Sequence, residues 1–274
     1  MKSKIYNKFK NLKKINKTAL ITFITGGDPD LETTKKLILT LEKAGSDIIE
    51  IGIPYSDPLA DGPVIQEASL RALQSGTTIK GIFNMVEEVR RQTQIPLVFL
   101  VYYNCIFQYG IDKFINDCER TGIDGLIIPD IPIEEREELT EKLLDKTVNL
   151  IPLVALTSEE RIKKIVKGAE GFVYCISYLG VTGKNIKTET SGDLETDNPE
   201  LYDLIKNVKS STDMPKAVGF GISTVEDVRK YKNDFEGIII GSAIIKKVKE
   251  GIEGGNIEQK VFDYVNEINQ AMLN

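Results

Sequence analysis

Three carboxylates fall within one short stretch of this chain: Glu50, Asp57 and Asp61. Glu50 interrupts the apolar run Ile48-Ile49-Glu50-Ile51-Gly52-Ile53, which Pro54 closes and which reads as a short buried strand. An acid inside such a strand is costly unless it is paired, hydrogen-bonded or protonated. Strand alternation puts Ile49, Ile51 and Ile53 on one face and Ile48, Glu50 and Gly52 on the other, so Glu50 points towards whatever the strand encloses. Burial should raise its pKa, while Asp61, on a loop, should stay ionised. Two carboxylates held apart in this way can divide acid and base roles. The same residues also suit a structural role, with Glu50 in a salt bridge and Asp57-Pro58 and Asp61-Gly62 as turn dipeptides. Histidine is absent. That excludes Ser-His-Asp and Cys-His chemistry and the common zinc sites, and leaves proton transfer to Asp, Glu, Tyr, Lys or Cys.

Three further features accompany the acids. Gly219-Phe220-Gly221-Ile222-Ser223 and Gly241-Ser242-Ala243 each follow a short apolar run. Glycine lets backbone N–H groups approach an anion, and a helix N-terminus favours negative charge; each loop alone could equally be a tight turn. From Tyr178 to Asn198 the chain is polar and rich in Gly and Thr, with Val181-Thr182-Gly183 as a candidate lid or an ordinary surface loop. Phe23, Tyr102, Tyr174 and Phe220 fall at or near strand ends, where they could bound a flat apolar ligand or simply pack in the core.

The elements that must position these residues follow a regular pattern. Strands are expected at Ala19–Thr25, Ile48–Ile53, Pro96–Tyr102, Gly125–Ile128, Asn149–Ala155, Gly171–Ile176, Lys216–Gly219 and Gly237–Ile240. Helical spacing precedes the first, at Ile5–Ile15, and at least one helix follows each strand, among them Leu31–Ala44 with Gly45 as its C-cap, Ile111–Thr121 as the helix after Pro96–Tyr102, Ile133–Leu144 and Ser158–Lys167. Strands without polar alternation suit a parallel sheet buried on both faces. Eight such units predict an α/β fold, a (β/α)8 TIM barrel with an extra N-terminal helix and additional helices in the loops. A doubly wound open sheet has the same periodicity. In a barrel, all the features above gather at the C-terminal face, and the last two glycine loops are the usual phosphate-binding pair.

With 274 residues, 41% hydrophobic and 28% charged, the chain is sized for one domain spanning residues 1–274. Its formal charge of −6, with scattered basic residues, argues against a nucleic-acid partner. No apolar run approaches a membrane span, and the basic N-terminus lacks the apolar core of a signal peptide, so a cytoplasmic protein is expected. The three cysteines, Cys105, Cys118 and Cys175, form no CxxC pair and are read as buried, reduced thiols.

Several of these stretches together resemble the tryptophan synthase alpha chain family. They are Phe23-Ile24-Thr25-Gly26-Gly27-Asp28-Pro29, Glu50 through Pro63, Pro129-Asp130-Ile131-Pro132, Gly180-Val181-Thr182-Gly183, Gly219-Phe220-Gly221-Ile222-Ser223 and Gly241-Ser242-Ala243, in order over nearly the whole chain. The resemblance implies a TIM barrel that splits indole-3-glycerol phosphate into indole and glyceraldehyde 3-phosphate, with neither metal nor organic cofactor. It implies that Glu50 is the general acid/base and that Asp61 accepts the indole N–H. Thr182 belongs to the closing loop and helps position Asp61. Gly183, Gly221, Gly241 and Ser242 form the phosphate site, and Phe23, Leu100, Tyr102, Ile127, Tyr174 and Phe220 line the pocket. It also implies a pyridoxal-phosphate beta subunit in an alpha2-beta2 heterotetramer, docked on Asp57-Pro58-Leu59 and Asp130-Ile131-Pro132. A stand-alone lyase releasing indole, or a non-catalytic activating subunit, would share the resemblance. The chain departs from the family pattern at Leu156, where proline is usual, at Tyr178-Leu179 and at Lys184-Asn185.

Overall fold

The apolar runs become nine parallel strands in the computed structural model, which describes residues 3–177, 194–219 and 221–273. They are β1 (Ala19–Thr25), β2 (Ile48–Gly52), β3 (Leu97–Leu100), β4 (Gly125–Ile127), β5 (Asn149–Leu150), β6 (Leu153–Ala155), β7 (Val173–Ile176), β8 (Lys216–Gly219) and β9 (Gly237–Ile240). Their order across the sheet is β5-β4-β3-β2-β1-β9-β8-β7-β6. The two outermost strands are halves of one segment, Asn149–Ala155: β5 pairs with β4, and β6 pairs with β7. The sheet therefore closes on itself as a barrel of eight staves, and the open-sheet alternative falls. The expected single strand over Asn149–Ala155 is broken at Pro152, which has no N–H to donate. Ile151 N–H still reaches the Leu126 carbonyl at 2.8 Å, and the Pro152 carbonyl accepts Tyr174 N–H at 2.9 Å. The segment changes neighbours at that point.

The helices are α1 (Lys4–Lys14), α2 (Leu31–Ala44), α3 (Pro63–Gln74), α4 (Ile79–Val89), α5 (Tyr103–Tyr109), α6 (Ile111–Thr121), α7 (Glu137–Leu143), α8 (Ile162–Val166), α9 (Leu194–Asp197), α10 (Pro199–Ser211), α11 (Val225–Tyr231), α12 (Ser242–Gly254) and α13 (Ile257–Leu273). Two helices expected as single pieces, Ile133–Leu144 and Ser158–Lys167, instead begin as 3-10 turns at Ile133–Glu135 and Leu156–Arg161. Helix α5 has no counterpart in the sequence reading, because Tyr103-Asn104-Cys105-Ile106-Phe107 carries little helical propensity. Its start is held from outside, by Tyr103 N–H donating to the Asp130 carboxylate at 2.9 Å. No helix among the described residues is long and apolar enough to cross a membrane. Cys105, Cys118 and Cys175 are buried and unbridged.

Alternation along the strands sorts the core into two layers. Ile49, Ile51 and Ile53 pack outward with Leu37, Leu41 and Phe83 beneath the helices. Ile48 faces inward with Ile21, Val98, Ile127 and Ile239. Helix α1 plugs the N-terminal end with Ile5, Phe9 and Leu12, and Phe9 meets Phe172 at a ring separation of 5.7 Å. Three carboxylates finish that end, each standing just before a strand and accepting a backbone N–H from the neighbouring strand: Asp47 from Leu20, Asp124 from Leu97 and Glu236 from Lys216. Asp47 is also paired with Lys17 at 3.1 Å, and Asp124 with Arg90 at 2.6 Å.

Candidate active site

At the opposite end of the barrel, Glu50 leaves the interior face of β2 and lines a cavity. The residue is 1% exposed, and its Oε1 has no hydrogen-bond partner among the described residues. Burial alone, with no cation to offset it, pushes its carboxyl up to about 8. The acid expected on the enclosed face is therefore there, without a salt bridge among the described residues.

Asp61 lines the same cavity. The loop that carries it is bonded to itself: Leu59 N–H donates to the Asp57 carbonyl and Asp61 N–H to the Pro58 carbonyl, each at 3.0 Å. The Tyr102 hydroxyl donates to Asp61 Oδ2 at 3.0 Å and accepts Ala60 N–H at 3.0 Å. Burial raises Asp61 to about 6 and the Tyr102 bond opposes that rise, so the carboxyl is raised yet still mostly ionised at neutral pH. The two carboxylates thus sit on opposite sides of neutrality, the arrangement that lets one donate a proton while the other stays anionic.

Apolar side chains close the cavity around them. Phe23, Leu100 and Tyr174 line it, as do Ile65, Ile222 and Ile239. Two glycines leave room for the rings. A Cβ on Gly52 would stand 2.6 Å from Phe23 Cζ, and one on Gly219 would stand 2.5 Å from the Tyr174 hydroxyl. Tyr174 is buried, and its hydroxyl pKa is raised first by that burial and then by the negative charge of Glu50 and Asp61. Gly221, Gly241 and Ser242 complete the wall. Ser242 opens α12, with Gly241 as its cap residue, so the first N–H groups of a 13-residue helix have no carbonyl of their own within it. No Lys or Arg lines the cavity among the described residues; an anion would meet backbone N–H groups and the helix dipole.

Eight of the residues singled out from the sequence therefore meet at one mouth: Glu50, Asp61, Phe23, Leu100, Tyr174, Gly221, Gly241 and Ser242. Tyr102 lies behind Asp61 rather than on the cavity wall, and Ile127 packs deeper in the barrel with Ile21 and Ile48. Thr182, Gly183 and Phe220 lie outside the described residues. Ile239 was legible from alternation, two positions after Gly237 on β9. Ile65, on a helix in sequence terms remote from any strand end, carried no such signal. The remaining candidates are on the surface. Leu59 is 90% exposed, Asp57 accepts the Ser56 hydroxyl at 2.5 Å, and Asp130 and Pro132 are exposed. Helix α5 joins these loops, since Tyr103 N–H bonds Asp130 and Asn104 Nδ2 bonds the Tyr55 hydroxyl. Its Phe107 is 64% exposed. No group of His, Cys, Asp and Glu suited to a metal ion occurs among the described residues.

The family model described as tryptophan synthase alpha chain matches residues 9–273. A tryptophan synthase alpha chain from Alkaliphilus metalliredigens is 52% identical over 268 residues, covering 98% of this chain and 97% of that one. One from Clostridium kluyveri is 48% identical over 265 residues, covering 97% of each. Among solved structures, tryptophan synthase subunit alpha from Legionella pneumophila superposes with a TM-score of 0.89 at 32% identity over 100% of both chains. A structure of Mycobacterium tuberculosis tryptophan synthase gives 0.86 at 28% identity over 99% of both.

Proposed function

The chain belongs to the tryptophan synthase alpha chain family, and from that membership we infer a lyase that works at the barrel mouth, cleaving indole-3-glycerol phosphate into indole and glyceraldehyde 3-phosphate. The observation that carries the assignment of roles is Glu50: a fully buried carboxyl, uncharged near neutral pH, facing the same cavity as an ionised Asp61.

Cleavage of the bond between the indole ring and the glycerol chain needs a proton on the ring carbon and removal of a proton from the adjacent hydroxyl. Glu50 enters protonated and delivers its proton to the ring carbon. Positive charge then develops on the indole nitrogen, where Asp61 accepts the N–H and stabilises it. The Glu50 carboxylate left behind takes the hydroxyl proton as the carbon–carbon bond breaks, releasing the aldehyde and indole and restoring the neutral acid. Phe23, Leu100 and Tyr174 form the dry slot for the ring. Gly221, Gly241 and Ser242 cradle the phosphate with backbone N–H groups.

The reading extends to a partner. The exposed Leu59 and Phe107, with Asp57, Pro58, Asp130 and Pro132 around them, form a surface suited to a beta subunit that consumes the indole in an alpha2-beta2 assembly. Pyridoxal phosphate would belong to that subunit, and the assembly to the cytoplasm. The test is indole release from indole-3-glycerol phosphate, with and without a beta subunit. Release that the partner accelerates supports the reading; a chain that stimulates the partner yet releases no indole overturns it.

A further inference from the structure

The C-terminal helix α13 reaches the loop that follows β8. The Tyr264 hydroxyl donates to the Ser223 carbonyl at 2.9 Å. Ser223 closes the loop that carries Gly221 and Ile222 into the cavity. The other side of that loop end is held by Asp227, whose Oδ2 accepts the N–H groups of Ser223 and Thr224, each at 2.9 Å. The Ser223–Thr224 hinge is thus gripped on its N–H side from within α11 and on its carbonyl side from α13.

Helix α13 also packs against both α11 and α12. These two helices follow the two glycine loops, and α12 begins at Ser242 in the cavity wall. One rigid element therefore spans the supports of both halves of the anion cradle. We propose that Tyr264 is a positioning residue for phosphate binding: through the Ser223 carbonyl it holds the Gly221 loop at the spacing from the α12 N-terminus that a phosphate group requires. The proposal rests on the phosphate site assigned above. Tyr264 touches no substrate and acts only through the loop, so its effect should fall on the phosphate end of the ligand and leave the indole end alone.

Tyr264→Phe removes the hydroxyl and keeps the ring in its packing. Wild type, Tyr264→Phe and Ser242→Asp are compared by calorimetric titration with glycerol 3-phosphate and, separately, with indole. A single lost hydrogen bond in the support of the cradle should weaken glycerol 3-phosphate about fivefold. Indole affinity should stay as in wild type, and in turnover KM should rise about as much, with kcat within roughly twofold. Unchanged glycerol 3-phosphate affinity in Tyr264→Phe, or equal weakening of both ligands, overturns the proposal; the second outcome would mean general loosening of the fold. The Ser242→Asp arm separates the two ways of failing. Should the added negative charge there leave glycerol 3-phosphate binding intact, the phosphate site itself is misplaced and the positioning role falls with it. If Ser242→Asp abolishes binding while Tyr264→Phe leaves it unchanged, only the role of Tyr264 is lost.

Discussion

The two ends of the barrel treat the same functional group in opposite ways. At the N-terminal end, Asp47 and Asp124 are buried, yet each accepts a backbone N–H and meets at least one cation; Lys8 of α1 lies 3.7 Å from Asp47, and Lys4 lies 3.8 Å from Asp124. At the C-terminal end, among the described residues, Glu50 is buried with no cation and one oxygen unbonded, and the Asp61 carboxylate accepts the Tyr102 hydroxyl. Burial raises the pKa of Asp124, Arg90 being the largest opposing influence, whereas nothing opposes the rise at Glu50. Satisfied carboxylates hold strands and plug together. An unsatisfied one keeps its proton near neutral pH and can give it away. A stable site and a reactive one are thus built from one residue type, and the difference lies in the partners supplied.

Exchanging the character of the two ends tests that contrast. The largest effect is expected for Glu50→Gln, which should lower kcat roughly 10³-fold while leaving the circular dichroism spectrum unchanged. Near-wild-type turnover would remove Glu50 from the chemistry. At the other end, Asp124→Ala leaves the half-buried Arg90 with the Gly122 and Ile95 carbonyls but without its carboxylate, and should lower unfolding free energy by about 3 kcal/mol in urea titrations. Protein that remains folded should keep its kcat within about twofold.

The pH dependence of stability separates the ends next. The folded-state pKa of Glu50 is raised, so the folded chain holds a proton that the unfolded chain has already lost. Its contribution is full below about pH 4.5, declines as pH rises towards about 8, and is level above that. Between about pH 5.5 and 7.5, wild type should therefore lose about 2 kcal/mol relative to Glu50→Gln. A constant difference between the two proteins across that range would mean that Glu50 is ionised in the fold. The smallest effect is expected for Tyr102→Phe, which removes the donor that favours ionised Asp61. It should cost about fivefold in kcat/KM and move the acid limb of the pH–rate profile, near pH 6 in wild type, upward. An unmoved limb would confine Tyr102 to packing.

Much of the site was legible because strand alternation is a local property. Once Ile48–Ile53 reads as a strand, Glu50 must face away from Ile49 and Ile51, whatever the strand packs against. Helix α2 was equally plain, with apolar spacing over Leu31–Ala44 and Gly45 at its end. Helix α5 was hidden, because its start depends on Asp130, 27 residues further on, and not on its own propensities. Tyr102 looked like a pocket residue from its place at a strand end. Its partner is a loop carboxylate whose direction depends on the bonds among Asp57, Pro58 and Asp61.

By itself the sequence determined the alternation of strands and helices, the inward direction of Glu50, the absence of histidine chemistry and the family resemblance. Each of these depends on residue type and short-range spacing. Only the tertiary structure decided that the sheet closes, through a segment whose two halves pair with different neighbours on either side of Pro152. It likewise decided that Glu50 has no cation within reach among the described residues, that Tyr102 serves Asp61, that Ile65 lines the mouth and that Tyr264 bonds the Ser223 carbonyl. These outcomes depend on groups far apart in the chain, and burial, pairing and pKa are properties of the surroundings that folding assembles.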